Sequence, residues 1–338
     1  MFAKHLRRDK VDRGCSPFQG AVLALLFTVS LGCLQHGSHV SGSDSASEWR
    51  PWQVLDTRTG RMLSTSDWLN ELTLYDVIYV GEEHYNAYHI EAALRILEHL
   101  RANGVKPVIG MEMFGWDGQG ALDDYVSNKN LSKSDFLAQV RWTQNWGGAF
   151  EDYEPLVAFA RTHSLSVRAM NPPRPLIRQI VKVGLAQARK DPEWQRWGLH
   201  QEEIVDDPAY RARILDQIQR CHGGGSKDHF QSMYEASMVR DEGMAMTIAT
   251  SLDDLRRSQE KARRIIVSYT GGGHIQYGLP VPQRVARRFS GQIKQTTVYL
   301  MSFDGGKTDE LREQMRERIA DYIWLTPTSK KGPPQRCR

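Results

Sequence analysis

The stretch Val77-Ile78-Tyr79-Val80-Gly81-Glu82-Glu83-His84-Tyr85-Asn86 decides the fold predicted for this chain, because it joins an apolar run to a helical pattern. From Ile90 to Leu100, apolar residues follow at spacings of three and four, which is typical of one face of a helix. Asn86 is of a residue type common at helix N-termini. The stretch therefore predicts a strand, a short loop and a helix.

The same alternation recurs along the chain. Further apolar runs lie at 107–114, 165–170, 265–269 and 295–303, and helical patterns separate them. Runs that are apolar almost throughout are typical of parallel strands covered on both faces. We therefore expect an α/β fold, a mostly parallel β-sheet flanked by helices with a smaller helical subdomain. The predicted domain spans 51–326, with helical insertions near 115–150 and 175–235, before a loose basic tail at 327–338.

The N-terminal residues resemble an export signal. A basic segment that ends at Arg13 precedes an apolar run at 21–31, which is too short to cross a bilayer. The residues up to Cys33 resemble a bacterial lipoprotein cleavage box with two positions interchanged. We expect a signal peptide at 1–33, lipid on Cys33 and a flexible tether at 34–50, with simple secretion as the alternative. Both alternatives predict export to the bacterial cell envelope.

Charge and composition exclude one class of function. The chain is 40% apolar and 25% charged, as in ordinary globular proteins. Its formal net charge is +4, and residues 1–33 contribute +3 of it. The remainder lacks the clustered basic excess that binds nucleic acid, so we expect no nucleic-acid partner.

Cysteine usage agrees with export without proving a disulfide. Cleavage before Cys33 would leave that residue with Cys221 and Cys337 in the mature chain. An oxidising compartment would permit a bridge between Cys221 and Cys337. The sequence does not establish that these two residues lie close together.

Ionisable residues stand where the predicted strands end. Glu82 and His84 follow the first of these strands, Glu112 interrupts the second, and His274 follows three glycines after the fourth. Ligands of parallel α/β sheets bind at the carboxyl ends of the strands. We therefore expect these four side chains to gather in one crevice.

Two acids that the sequence pattern places among apolar residues have alternative interpretations. Glu112 in an apolar run either belongs to the site or forms a buried salt bridge, since an unpaired buried carboxylate costs several kcal/mol. Asp241 falls on the apolar stripe of a helix predicted from Ser226 to about Leu255. It either reaches the crevice or pairs with an arginine in the core.

Short motifs occur along the chain in the order found in one protein family. They are Val80–His84 with His89, Glu112–Phe114, Trp142 with Trp146, Tyr153 with Pro155, Ala169–Asn171, Asp241 before Met244-Ala245, Gly273-His274 with Tyr277-Gly278, and Asp321-Tyr322. Across about 52–326, these motifs resemble the ChaN-like haem-binding proteins of the Tiki superfamily. The resemblance implies an iron-uptake lipoprotein that binds haem through a tyrosine, sometimes as cofacial haems across a homodimer. The residues it implies for haem binding are Tyr85, Tyr277, His84, His274, His89 and Asp241. Many relatives have Asp where this chain has Tyr85, which leaves open which tyrosine holds the iron.

The wider superfamily implies an alternative function. Erythromycin esterases and Tiki-type metalloproteases resemble this chain in the Gly-Glu-x-His junction, the second-strand Glu and the late His. On that resemblance Glu82, His84, Glu112 and His274 would be catalytic in an esterase or peptidase. They would either bind a divalent metal that activates water or act through a His–Glu general base. The sequence therefore favours haem uptake and keeps hydrolysis as the alternative.

Overall fold

The computed structural model describes residues 49–127, 130–221, 224–259 and 261–329. The predicted signal peptide, Cys33, Cys337, and most of the predicted tether and tail lie outside these residues. What the sequence predicts for these residues therefore stays a prediction. Cys221 is disulfide-bonded.

An eight-stranded sheet forms the centre of the fold. Its strands are β1 Val54–Asp56, β2 Arg61–Leu63, β3 Val77–Glu82, β4 Lys106–Gly115, β5 Val167–Asn171, β6 Arg264–Gly271, β7 Gln295–Ser302 and β8 Tyr322–Thr326. Their order across the sheet is β2-β1-β8-β7-β3-β6-β4-β5. Strand β1 pairs antiparallel with β2 and β8, whereas the remaining pairs are parallel. The predicted α/β class with a mostly parallel sheet is confirmed.

Helices connect these strands. They are α1 Thr65–Leu72, α2 Ala87–Ala102, α3 Gln119–Ser127, α4 Lys133–Gln139, α5 Trp142–Asn145, α6 Glu154–His163, α7 Arg174–Val183, α8 Leu185–Ala188, α9 Pro192–Arg196, α10 Pro208–Cys221, α11 Lys227–Arg257, α12 Val281–Arg288 and α13 Thr308–Glu317. Helices α3 to α5 fall in the insertion predicted near 115–150, and α7 to α10 fall in that near 175–235. Among the described residues, none of the helices has both the length and the apolar character to cross a membrane.

Two predicted helix starts are confirmed by their capping hydrogen bonds. The Asn86 side chain accepts from the Tyr88 N–H at 3.0 Å, and that of Ser226 accepts from the His229 N–H at 3.2 Å. The Asn86 amide also donates to the Ser302 hydroxyl at 2.8 Å. The loop between β3 and α2 is therefore fixed at both its helix and the neighbouring end of β7.

Alternate residues of the central strand face different helices. Ile78 and Val80 pack in a core with α2 and α6, whereas Val77 and Tyr79 pack in a core with α11 and α12. Successive side chains of a strand point to opposite faces of its sheet. Helices therefore cover both faces, and a ligand can meet the sheet at its strand ends.

Candidate functional site

A cavity of about 1000 Å³ lies at the carboxyl ends of β3, β4 and β6. Side chains predicted from the sequence line it: Glu82, His84, Glu112 and His274 from these strands and their loops, and Asp241 from α11. Apolar side chains from β4, α7, α10 and α11 form another part of its wall, namely Met113, Ile177, Ile214, Ile218 and Met233. We call the first group the ionisable floor of the cavity and the second group its apolar wall.

Glu82 is buried at the end of β3 and is fully hydrogen-bonded. One carboxylate oxygen lies 2.7 Å from Nδ1 of His84 and accepts from the Tyr153 hydroxyl at 2.9 Å. The other oxygen accepts from the Tyr269 hydroxyl at 2.8 Å. Burial raises the pKa of Glu82, and the hydrogen bonds from His84 and the two tyrosines oppose that rise without cancelling it.

His84 presents its second nitrogen to the cavity. The contact with the Glu82 carboxyl assigns the proton of a neutral ring to Nδ1, which leaves the lone pair on Nε2. Within the described residues, Nε2 makes no hydrogen bond. The ring packs edge-on against Trp146, with centroids 4.9 Å apart. A Cβ on Gly271 would lie 2.9 Å from Nε2, so a glycine is needed beside this imidazole.

Glu112 lines the cavity and also forms a buried ion pair. It lies in β4 where the pairing with β5 shifts register. One oxygen accepts from Nη2 of Arg240 at 2.5 Å and lies 3.3 Å from Nε2 of His274, while the other accepts from the Gly271 N–H at 2.6 Å. Burial alone would raise the pKa of Glu112, but His274 and Arg240 hold it well below its usual range. Glu112 therefore belongs to the site and also forms a buried salt bridge, so the two interpretations of this acid are compatible.

His274 is held between two carboxylates. Its Nδ1 lies 2.5 Å from Oδ1 of Asp241, whose Oδ2 accepts from the Tyr210 hydroxyl at 2.5 Å. Burial would lower the pKa of His274, but Glu112 and Asp241 raise it to about 9. The ring is therefore an imidazolium at neutral pH with both nitrogens engaged. Asp241 pairs with this histidine, and not with an arginine as the core interpretation supposed.

The two tyrosines implied as iron ligands lie outside the lining of this cavity. The Tyr85 hydroxyl lies 3.4 Å from the carbonyl oxygen of Gly147. The Tyr277 hydroxyl donates to Glu317 at 2.8 Å. Both tyrosines have left-handed backbones, with φ of 64° and 59°. Neither tyrosine therefore lines the cavity, although the ring of Tyr85 lies edge-on to the ring of His84, with centroids 6.2 Å apart.

His89 is a core residue of α2. It is fully buried, and its Nδ1 accepts from the Glu83 N–H at 2.9 Å. Burial, aided by Lys307, lowers the pKa of His89 to about 3. This neutral histidine fixes the loop after β3, and it does not line the cavity.

Several residues of the site were not predicted. Arg240, which pairs with Glu112, directly precedes Asp241 on the predicted helix and could have been found from that position. Tyr269 comes two residues before Gly271 at a predicted strand end. The sequence marks Tyr153, whose hydroxyl donates to Glu82, only through the family resemblance, and it gives no comparable signal for Tyr299, which lines the cavity.

The metal-dependent alternative finds no support in the described ranges. Among these residues, no group of three or more His, Cys, Asp or Glu side chains is arranged to hold a metal ion. His274, one of the predicted metal ligands, has both nitrogens engaged by carboxylates.

Comparisons with known proteins identify relatives of this chain. Residues 68–285 match the model of a family described as haem-binding uptake proteins of the Tiki superfamily, ChaN. Among curated proteins, no sequence matches significantly. A solved structure of ChaN from Campylobacter jejuni, described with cofacially bound haem, is 19% identical with a TM-score of 0.59, over 80% of this chain and 95% of that one.

Two further solved structures are more distant. A protein from Bacillus cereus is 13% identical with a TM-score of 0.34, over 70% of each chain. A mutant of the erythromycin esterase EreC is 14% identical with a TM-score of 0.38, over 70% of this chain and 72% of that one. At these TM-scores the similarities say nothing about function.

Proposed function

Because the chain belongs to the haem-binding uptake family of the Tiki superfamily typified by ChaN, we propose that it binds haem in the cavity at the strand ends. Haem is amphiphilic, with a flat apolar macrocycle that carries two carboxylates. The observation that carries the proposal is the matching division of the cavity into an apolar wall and an ionisable floor.

The size and lining of the cavity suit such a ligand. Its volume of about 1000 Å³ lies at the upper end of ligand pockets, which are roughly 300–1000 Å³. Ile177, Ile214 and Met233 offer surface to a macrocycle, and Arg174, which also lines the cavity, offers positive charge to its carboxylates. The indole N–H of Trp146, buried in the wall, has no hydrogen-bond partner among the described residues. A bound acceptor would satisfy it.

We propose an uptake role in the cell envelope for this binding. The N-terminal pattern that ends at Cys33 supports export and a lipid anchor. The Campylobacter relative, described with cofacial haem, supports a homodimer with two facing haems as the working hypothesis. Family membership supports haem as cargo, and iron uptake is the corresponding role.

A haem titration followed by absorption tests the proposal. The purified mature protein should show a saturable Soret band, and metal analysis without haem should find no stoichiometric metal. Met233→Trp adds bulk to the cavity wall, so we expect haem affinity to fall at least ~10-fold, about 1.4 kcal/mol. Val183→Trp is the matched control, because Val183 is exposed and does not line the cavity. A wild-type protein without saturable haem binding would refute the proposal.

One observation favours hydrolysis as the second function. The Glu82 carboxyl lies 2.7 Å from Nδ1 of His84, and this arrangement suits a general base whose Nε2 faces the cavity. If this function holds, the protein should turn over a chromogenic ester, and His84→Ala should abolish turnover. Tyr85→Phe and Tyr277→Phe should leave turnover nearly unchanged, since neither tyrosine lines the cavity.

A further inference from the structure

Cys221 is the last residue of α10 and is disulfide-bonded. It is half-buried, and it lines the cavity at the strand ends. We propose that its partner is Cys337, and that this disulfide fixes residues 330–337, the C-terminal segment, over the rim of the cavity as a cover. Retention of haem by this cover rests on the proposed function, whereas the disulfide and the cover can be tested without haem.

The predicted processing of the chain leaves one partner for Cys221. The other cysteines are Cys15, Cys33 and Cys337. Cleavage before Cys33 would remove Cys15, and the lipid anchor would occupy the thiol of Cys33. Disulfides persist in oxidising compartments such as the bacterial periplasm. Within one mature chain, Cys337 is therefore the cysteine that remains to pair with Cys221.

The chain leaves the sheet beside the cavity. Strand β8 is parallel to β7 and ends with Thr326, which pairs with Ser302. The Ser302 hydroxyl donates to Glu83 at 2.5 Å, and Glu83 lines the cavity. Because the carboxyl ends of parallel strands lie at one edge of a sheet, the residues after Thr326 begin at the edge where the cavity lies.

Helix α10 lies close to the elements that lead into this C-terminal segment. Arg213 of α10 pairs with Glu317 of α13 at 3.1 Å. The Tyr277 hydroxyl donates to the same carboxylate oxygen at 2.8 Å. These contacts fix α10 beside the helix that precedes β8.

The C-terminal segment is long enough to cross the rim. Ser329 is the last described residue, and the eight residues 330–337 follow it up to the cysteine. An extended chain of that length reaches roughly 26 Å. Glu83, near the end of β8, and Cys221 both line the same cavity of about 1000 Å³. The reach of the segment therefore exceeds the width of a compact cavity of this volume.

The composition of the C-terminal segment favours a position over the cavity and not inside it. The segment contains Lys330, Lys331 and Arg336 and no acid. Burying these charged side chains inside the cavity would be unfavourable, so they should stay in water. Pro333 and Pro334 restrict the backbone to extended conformations. A segment of this kind, fixed at both ends, would cover the rim and leave the cavity to its ligand.

Peptide mapping without reduction tests the pairing. The purified mature protein is alkylated and then digested with trypsin, which cuts after Lys and Arg. The peptide 221–227 should be linked to the peptide 337–338, and reductant should separate the two. The denatured, unreduced protein should have the mass of one chain. A Cys221 that is alkylated, or that is linked to Cys15, to Cys33 or to a second chain, would overturn the pairing.

The rate of haem release tests the cover. Transfer of haem to excess apomyoglobin should be at least ~10-fold faster from Cys337→Ser than from wild type, because the loss of a barrier to escape appears in the dissociation rate. Cys337→Ser changes none of the described residues, so the cavity lining keeps its composition. Arg338→Ser is the matched control, since it alters the residue next to Cys337 and keeps both cysteines. Equal release from Cys337→Ser and wild type would overturn the cover.

Hydrogen exchange of the haem-free protein separates the cover from the proposed function. The loop 272–278 contributes Gly273 and Gln276 to the cavity lining. Its amides should exchange faster in Cys337→Ser than in wild type and Arg338→Ser, because the tether no longer holds the segment over them. Unchanged exchange in this loop would refute the cover, whereas a wild type that binds no haem would refute the proposed function alone.

Discussion

Nδ1 of His274 lies 2.5 Å from Oδ1 of Asp241, while Nε2 of the same ring lies 3.3 Å from Oε1 of Glu112. One imidazolium thus joins a carboxylate of α11 to a carboxylate of β4. Arg240 adds a second positive charge to the cluster through Glu112. Two acids and two bases balance, which explains how Glu112 and Asp241 can both be buried.

Asp241→Asn should reduce the pH dependence of stability. The pKa of His274 is about 9 in the folded protein against an ordinary value of 6.5. A raised pKa stabilises the fold fully below about pH 6.5, and this stabilisation is lost as the pH rises through about 9. The loss should be about 3 kcal/mol in wild type. Urea unfolding at pH 6 and at pH 9.5 measures this loss of unfolding free energy. A loss of the same size in Asp241→Asn would show that the Asp241–His274 pair does not cause it.

Gly271→Ala should disturb the site, whereas Gly120→Ala should not. A Cβ on Gly271 would lie 2.7 Å from Cε1 of His84 and 3.4 Å from Glu112. Displacing these groups should destabilise the protein by roughly 1–3 kcal/mol. A Cβ on Gly120, in α3, would meet nothing within 4 Å, so alanine there should stabilise by about 0.5–1 kcal/mol. Thermal unfolding of both variants makes the comparison, and similar changes in the two would argue against crowding at Gly271.

The sheet could be predicted from the sequence because its buried strands are continuous apolar runs. Strand β3 begins at Val77 as expected and continues two residues beyond Val80. Strand β2 was missed, since it is a three-residue edge strand with largely exposed side chains and no apolar pattern. An apolar pattern in the sequence reveals an element because one of its faces is buried. An exposed edge strand has little buried surface and therefore shows little of this pattern.

Which distant residues pair with Glu112 and Glu82 could not be predicted, because no local pattern in the sequence reports a contact between residues far apart in the chain. Arg240 lies 128 residues from Glu112, and Tyr153 lies 71 residues from Glu82. Tyr85 stands next to a predicted site residue, yet it lies outside the cavity lining. Its left-handed backbone is uncommon outside glycine, and no sequence pattern signals it for a tyrosine.

The mature protein should begin at Cys33 and carry lipid on that residue. An apolar run that ends at Gly32-Cys33 motivates this prediction. Intact-mass spectrometry of the protein isolated from membranes should show an N-terminal cysteine with the added mass of acyl chains. Cys33→Ser should prevent the modification and release the protein from the membrane fraction. A mature chain with an unmodified start beyond Cys33 would refute the lipid anchor.

Glu112→Gln should destabilise the fold more than the loss of a surface ion pair does. Glu112 is 1% exposed, and its charge balances Arg240 and His274. Removing one partner of a buried ion pair costs roughly 3–5 kcal/mol, because the remaining charges stay buried without compensation. The matched control is Glu91→Gln, which breaks an exposed pair with Arg95 and should cost at most about 0.5 kcal/mol.

The same variant separates an ion-pair role from a catalytic one. If the loss in Glu112→Gln comes from uncompensated positive charge, a second substitution, Arg240→Met, should restore part of the lost stability. Urea unfolding of the single and double variants measures this coupling. If Glu112 is instead a catalytic group of an esterase, ester turnover should vanish in both variants, including the double variant with restored stability. If Glu112→Gln alone is as stable as wild type, then its loss leaves no uncompensated charge. The ion pair between Glu112 and Arg240 would then contribute no stability.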